Sequence, residues 1–397
     1  DPVGSPGYFV KPDPNTATPG TRVTQDWLNA VQEELANAIE GQGLTLDKGD
    51  RTQLLKALGK VGGGNVNLLL NPEGRFVQRG STRAVTSSEI VTGAGPDHWW
   101  AKAGGAGDAA NLSGSPGGAG TIADLTGAPS QLRSRLRFNK GTDAATGVNP
   151  TLRQSIEEVE SYHGKPVVLA FDAKKNAGLD LAIAGVEVVQ DFGTGGSPSA
   201  DVTTPLVSIG SGTIDGTYRR FAFSAMLPSI AGKTIGSAGG HHLKVRIKFA
   251  ANQLFDVFLS GFVFAGGAVD PGYQPRPDVE ELAFLRRYYE TSIDGDSFGN
   301  FTNDLEAGLW DTSLAAAGLV ATLGRRFRVV KYAVPTVTWL AHDGTADNLT
   351  EAPSTKRPVT STGPTLTHTG YPTITTPPAA GLRDLRAYWK ALAEIPD

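Results

Sequence analysis

"LKVRIKF" (243–249) decides how most of this chain is read. Leu243, Val245, Ile247 and Phe249 fall on one side of an extended backbone, and Lys244, Arg246 and Lys248 fall on the other. A period of two is a strand signature, and strict alternation marks an antiparallel sheet with one wet face. Working outward from it, the pattern predicts strands at 66–70, 166–172, 186–192, 218–227, 242–249 and 254–264. No long helical pattern separates these runs, so 65–275 is expected to be an antiparallel β-sandwich or jelly roll. The 50 glycines and 25 prolines among 397 residues fit many short strands joined by tight turns. A low-complexity surface loop, "AGGAGDAANLSGSPGGAG", covers 103–120.

The first 64 residues read differently. Residues 1–20 hold five prolines and three glycines and form an extended arm carrying one apolar island, Tyr8, Phe9 and Val10. "TQDWLNAVQEELANAIEGQG" (24–43) then predicts an amphipathic helix, with Trp27, Val31, Leu35 and Ile39 in one stripe and Thr24 as its cap. A shorter helix over 50–59 follows, and "VGGGN" (61–65) is a hinge. Neither helix offers the stripe enough apolar surface, so it needs a partner.

Beyond the sandwich, "PRPDVEELAFLRRYYETS" (275–292) predicts a helix capped by Asp278, and strands resume at 327–340, where Pro335 argues for an edge or bulge. The closing "LRAYWKALAEIPD" (385–397) fits a last strand or a helix.

Composition excludes several function classes. The net charge of -4 lacks the basic balance of a nucleic-acid binder. With no cysteine there are no disulfides or thiolate metal sites, and no run of eighteen apolar residues provides a membrane span. The first residues have no basic and apolar leader pattern, so no signal peptide is expected, and the missing initiator Met suggests processing or absent residues.

Chemical motifs are few. "GKT" (232–234) lacks the upstream glycine of a phosphate loop, the position being Leu227, and "GAGTIA" (118–123) follows no strand. His98, His163, His241, His242, His342 and His368 show no zinc-helix spacing, and adjacent His241 and His242 point to opposite faces of a strand. Glu157-Glu158 and Glu280-Glu281 read as solvated pairs on helical or turn segments, since acid/base work needs separated carboxylates around a cleft. "DGDSFGN" (294–300) lacks the distal Glu of a calcium loop. No cofactor or metal is expected. The aromatic residues are more suggestive: Trp99, Trp100, Trp310, Trp339 and Tyr371 lie in loop-like or edge contexts where ring faces could stack on sugars, the competing reading being that they plug the core.

These segments carry a resemblance. "VTQDWLNAVQEELANAIEGQGLTLDKGDRTQLLKAL" resembles the N-terminal attachment segment of tail-fibre and baseplate-associated proteins of tailed bacteriophages. "NLLLNPEGRFVQRG", "QSIEEVESYHGKPVVLAFDAKKN" and "YRRFAFSAMLPSIAGKTIG" are similar to the β-rich module downstream in such proteins, and "YQPRPDVEELAFLRRYYETS" to its exit into a C-terminal module. "VPTVTW" and "YWKALAE" resemble the middle and end of that module. One departure is Asp97-His98-Trp99, where relatives tend to carry an Asp-Arg-Trp-like opening.

The resemblance implies a jelly-roll module similar to carbohydrate-binding modules, in a protein that assembles as a homotrimer. The expected organisation is an arm and helical attachment segment (1–64), a jelly-roll sandwich (65–275) and a β-rich distal module (276–397). The stripe of Trp27, Val31, Leu35 and Ile39 is expected to meet its copies on two other chains, and Tyr8, Phe9 and Val10 to anchor on tail or baseplate proteins. The expected function is a virion tail protein, made in the host cytoplasm, that recognises host surface polysaccharide or lipopolysaccharide without cleaving it. Trp310, Trp339 and Tyr371 are the first candidates for contact, followed by Trp99 and Trp100. The alternatives are a purely structural baseplate or collar subunit and a glycan-cleaving tailspike; the latter would need a stacked repeat that the chain does not show.

Overall fold

The structure is a computed structural model. It describes residues 14–15, 20, 23–40, 44–61, 66–88, 95–115, 123–210, 212–291, 309–311, 322–340, 346, 348–351, 355–358, 370–374 and 385–395. The chain divides into two compact units, Asp1–Asn65 and Val66–Asp397. The C-terminal strands, expected as a module from 276, share the second unit with the sandwich.

The first unit holds α1 (Gln25–Glu40) and α2 (Gln53–Val61). Thr24 Oγ1 accepts the Trp27 amide at 3.3 Å, which caps α1. Asp50 accepts the amide and hydroxyl of Thr52 and pairs with Lys56 at 2.6 Å, and these bonds, led by Lys56, hold its carboxyl well below the usual range. Only Ile39 and Ala57 are buried among the described side chains of the two helices. Trp27, Val31 and Leu35 remain exposed. No described helix is long and apolar enough to cross a membrane.

The second unit is mainly antiparallel β. Twelve strands form its large sheet: β1 (Thr82–Val85), β2 (Trp100–Lys102), β3 (Ala109–Ser113), β4 (Leu136–Thr142), β5 (Thr151–Glu157), β6 (Pro166–Gly178), β7 (Leu181–Asp191), β8 (Val202–Ser208), β9 (Thr213–Ile214), β10 (Arg219–Met226), β11 (His242–Phe249) and β12 (Phe255–Gly266). Their order is β1-β3-β4-β12-β6-β10-β8-β7-β11-β5-β2, with β9 beside β7. β8 pairs with β7 through Val202–Leu206 and with β10 through Val207 and Ser208, so it turns the corner between two halves. From β4 onward the chain crosses repeatedly between these halves, as in a jelly roll.

The core fills the space between them. Leu243, Val245, Ile247 and Phe249 face inward as their alternation requires, against Phe138, Leu169, Phe171, Phe221 and Phe223. β12 inverts its parity midway. Phe255, Val257 and Leu259 point inward, the pairing slips between Ser260 and Val263, and Phe262 and Phe264 point inward thereafter. Gly261 sits at the slip with φ +58, and a Cβ there would lie 2.8 Å from a Leu132 methyl. Val263 and Ala265 consequently face outward, where Leu132 and Tyr273 cover them with Val168.

Residues 66–70 are not a strand. The Leu68 amide bonds to Phe264 O, Asn67 Oδ1 accepts the Leu69 and Phe264 amides, and the Gln154 side chain takes both polar groups of Leu70. Side chains do the work of a ladder. Conversely, the sequence pattern predicts no strand at 151–157 and places Glu157 on a helical or turn segment, yet these residues form β5. It is buried on both faces, so it shows no alternation. Its Leu152 and Ile156 face the core, and Gln154 reaches residue 70.

A helix, α3 (Asp278–Arg286), leads to the C-terminal strands β13 (Tyr289–Thr291), β14 (Leu309–Asp311), β15 (Thr322–Arg326), β16 (Thr336–Leu340), β17 (Asn348–Glu351), β18 (Thr355–Pro358), β19 (Gly370–Ile374) and β20 (Leu385–Leu392). β20 is the hub, pairing with β13, β14, β16 and β17, which settles 385–392 as strand. In the 327–340 run, only 336–340 is strand, and Pro335 stands just before it.

Candidate functional site

The segments that carried the resemblance converge in space. Arg276 donates to the carbonyls of Asn67 and Leu69 and pairs with Glu281 at 2.7 Å, while Glu281 accepts the Asn71 amide at 2.6 Å. Arg133 joins Glu73 to Asp278. The opening of the sandwich is thereby fastened to the start of α3. Burial raises the Glu281 carboxyl more than Arg276 lowers it. Glu281 is therefore no solvated partner of Glu280 but a buried clasp.

A second clasp follows α3. Arg287 grips Glu157 through two bonds of 2.5 and 2.8 Å, and the Tyr288 hydroxyl donates to the same carboxylate at 2.5 Å. Burial alone would raise Glu157, but Arg287 and Tyr288 together bring it below its ordinary value. His98 stacks on Tyr288, ring centroids 4.2 Å apart, and its Nε2 lies 3.0 Å from the Ser155 carbonyl, to which it donates. Its Nδ1 lies 3.4 Å from Glu394, which Arg79 also holds at 2.6 Å. Burial pushes Glu394 up, yet Arg79 and His98 outweigh it and hold the carboxyl at about 2.

Between the two clasps lies a cleft of about 360 Å³. Leu68, Leu70 and Ile156 form apolar walls, Tyr288 and His98 line it further in, and Glu280 and Phe284 of α3 line it from the exposed side. Phe284 is 44% exposed, with the Arg276 guanidinium 5.5 Å from its ring centre. A cleft of this size is at the small end of ligand pockets, about 300–1,000 Å³. It suits a chain end or short segment with one flat apolar side and a polar edge.

The aromatic residues expected to stack on sugars are placed elsewhere. Trp99 is a core residue: it packs on Phe262 and donates to the Asn71 carbonyl at 2.9 Å. Trp100 is fully buried, with the Arg153 guanidinium 5.1 Å from its ring. Trp339 is buried beside Trp389, its cross-strand partner. As the chain is folded, none of these three offers an open ring face. Trp310 and Tyr371 lie on β14 and β19, but their side chains fall outside the described residues, as do Tyr8, Phe9 and Val10. Of the predicted stripe, Trp27, Val31 and Leu35 are exposed and Ile39 is buried.

Sequence reasoning passed over Phe284, Arg276, Arg287 and Tyr288, and set aside Glu280 as solvated and His98 as no metal ligand. The signal was their position within the resemblance segments, together with the Asp97-His98-Trp99 departure. His241 and His242 are separated as expected, His241 pairing with Glu160 at 3.3 Å while His242 is buried on β11.

No family model matches the chain. Over 50 residues it is 42% identical to StfP, an uncharacterized protein of Escherichia coli K12, a match covering 13% of this chain and 24% of that protein. The chain thus spans about a quarter of that relative's length. Among solved structures, the enzymatically active domain of tailspike protein 4 from bacteriophage CBA120 aligns at TM-score 0.28 and 9% identity, covering 51% of this chain and 22% of that one. The family 11 carbohydrate-binding module from Clostridium thermocellum, solved with a mixed-linked tetrasaccharide, aligns at TM-score 0.27 and 11% identity, covering 48% of this chain and 98% of its own. The CBM22-1 xylan-binding domain from Paenibacillus barcinonensis Xyn10C aligns at TM-score 0.27 and 12% identity, covering 49% and 100%. Likeness at these scores decides nothing about what this chain binds.

Proposed function

We propose that this chain is a phage tail protein that attaches to tail or baseplate proteins through residues 1–64, assembles as a homotrimer, and recognises a host surface glycan without cleaving it. The observation that carries the recognition is the cleft, where the half-exposed Phe284 ring stands beside polar side chains. Sugar rings present C–H faces to aromatic rings and hydroxyls to polar groups, and an aromatic ring gives contact area at low entropic cost. The cleft carboxylate of Glu157 is held by Arg287 and Tyr288, which suits a structural role rather than proton transfer. Trimerisation is supported by the exposed stripe of Trp27, Val31 and Leu35. A single site of this kind binds weakly, about millimolar, and three copies on one fibre raise the avidity by roughly a hundredfold.

The second reading is a purely structural tail subunit. It is favoured by the same clasps, since Arg276, Glu157 and Arg287 already hold the chain together. Binding of the purified protein to host cells and to extracted surface polysaccharide or lipopolysaccharide separates the readings. The expected result is weak, saturable binding that Phe284→Ala reduces about tenfold, with the glycan left at its original length. Absence of binding gives the structural reading, and shortening of the glycan gives the tailspike reading. Deleting residues 1–20 is expected to leave the fold intact and abolish incorporation into particles.

A further inference from the structure

The cleft carries information about the charge of its ligand. Two guanidiniums line it, and each is already spent. Arg276 pairs with Glu281 and donates to two carbonyls; Arg287 takes both oxygens of Glu157 and reaches the Val330 carbonyl at 3.3 Å. Arg276 has committed Nη2 to the two carbonyls and Nη1 to Glu281, and Arg287 has committed Nε and Nη2 to Glu157, so neither offers a ligand carboxylate the paired N–H fork it would take. The start of α3 would attract an anion through its free amides, but the chain has placed Asp278, Glu280 and Glu281 in that first turn. Of these, Asp278 is engaged by Arg75 and Arg133, and Glu281 by Arg276. Glu280 is exposed, lines the cleft, and forms no ion pair among the described residues.

We propose that the cleft selects uncharged or amino-bearing sugars and rejects acidic ones, with Glu280 as the residue that sets this preference. This rests on the glycan reading above and sharpens it. A uronate, sialate or phosphate group brought to Phe284 would meet the Glu280 carboxylate without gaining a cation, because both arginines are committed. A neutral ring loses nothing there, and its hydroxyls can donate to the carboxylate in a charge-assisted hydrogen bond. An amino sugar gains an ion pair. Discrimination through a like charge at the rim is a repulsive device, and it weakens with salt over a Debye length of about 8 Å at physiological ionic strength.

The test uses the full chain in a binding titration against a panel of soluble neutral polysaccharides (arabinoxylan, mixed-linked β-glucan and dextran), each beside its carboxymethylated derivative, with glycol chitosan as the cationic probe. Carboxymethylation keeps the linkage and changes the charge. The expected result is at least tenfold weaker binding of the carboxymethylated form of whichever polymer binds, a difference that shrinks at 1 M salt. Glu280→Lys should abolish or invert the preference, and Glu280→Gln should narrow it, both with the thermal midpoint of the wild-type protein. Equal or tighter binding of the carboxymethylated polymer by the wild-type chain overturns the inference while leaving glycan recognition intact. So does a preference that survives Glu280→Lys. Failure of every polymer to bind, neutral or charged, overturns the inference, while the glycan reading falls separately, on absence of binding to host cells and their extracted polysaccharide.

Discussion

The helical unit and the sandwich use apolar residues at regular spacing to opposite ends. In β11, Leu243, Val245, Ile247 and Phe249 are all buried, each meeting side chains from distant strands of the same chain. In α1, Trp27, Leu28, Val31 and Leu35 follow an equally regular stripe, yet all four are exposed, as are Leu55 and Leu58 of α2. Two short helices cannot bury six large side chains on themselves, and helices this short are marginal without packing. The sandwich has twelve strands and two layers, so every inward row finds a facing row. The contrast teaches that the sandwich completes its own core, whereas the helical unit leaves its apolar stripe uncovered among the described residues, the surface that the proposed interface would bury.

Five variants break or sharpen that contrast. Trp99→Ala should have the largest effect, since it removes a buried ring and one of the two donors to the Asn71 carbonyl, the Gly74 amide being the other. A loss of about 3–5 kcal/mol is expected in denaturant unfolding. Trp27→Ala removes the same residue type from α1 and should leave that unfolding free energy within about 0.5 kcal/mol, while reducing the oligomer fraction measured by light scattering. Equal losses at the two tryptophans would erase the distinction.

Glu394→Gln comes next. The folded carboxyl titrates at about 2 against an ordinary value of 4.5, so it stabilises the fold above pH 4.5, and that contribution is lost as pH falls through 2. Roughly 3 kcal/mol is expected to separate wild type from variant near neutral pH, with the gap closing as the pH is lowered toward 3. A gap that stays constant across that range would assign the effect to packing. His242 gives a second titration. Burial lowers it from 6.5 to about 4, so the folded state keeps it neutral while the unfolded chain takes up a proton. Stability from this group is complete above pH 6.5 and declines as pH falls toward 4, by up to about 3 kcal/mol, and His242→Gln should flatten that decline. Within the sandwich unit the smallest change in stability is expected for Phe284→Ala, below about 1 kcal/mol, because the ring is half-exposed; its effect belongs in glycan binding.

The sequence by itself determined strands where a long run alternates between core and water; in 103–120, which it marks as a surface loop, β3 (Ala109–Ser113) instead buries Ala110 and Leu112, because so short and Gly-rich a run shows no pattern of its own. In β11 and β10 the alternation is local, and any partner sheet must respect it. It also determined both N-terminal helices and the stripe that their own surfaces cannot cover. Tertiary structure alone decided the rest, because the deciding contacts join residues far apart in the chain. β5 escapes the pattern since Arg287 and Tyr288 engage Glu157 on the face that a simple sandwich would leave wet. β12 reverses its facing at Gly261, which only its pairing with β6 reveals. Trp99, Trp100 and Trp339 are candidates for ligand contact in the sequence, with Trp99 and Trp100 ranked second because core is the competing reading, and burial by distant strands made all three core. The cleft forms only where residues near 68, 98, 156, 280 and 284 meet. A one-dimensional pattern records whether a side chain seeks burial or water; which distant surface satisfies it is set by pairing and packing that the pattern does not contain.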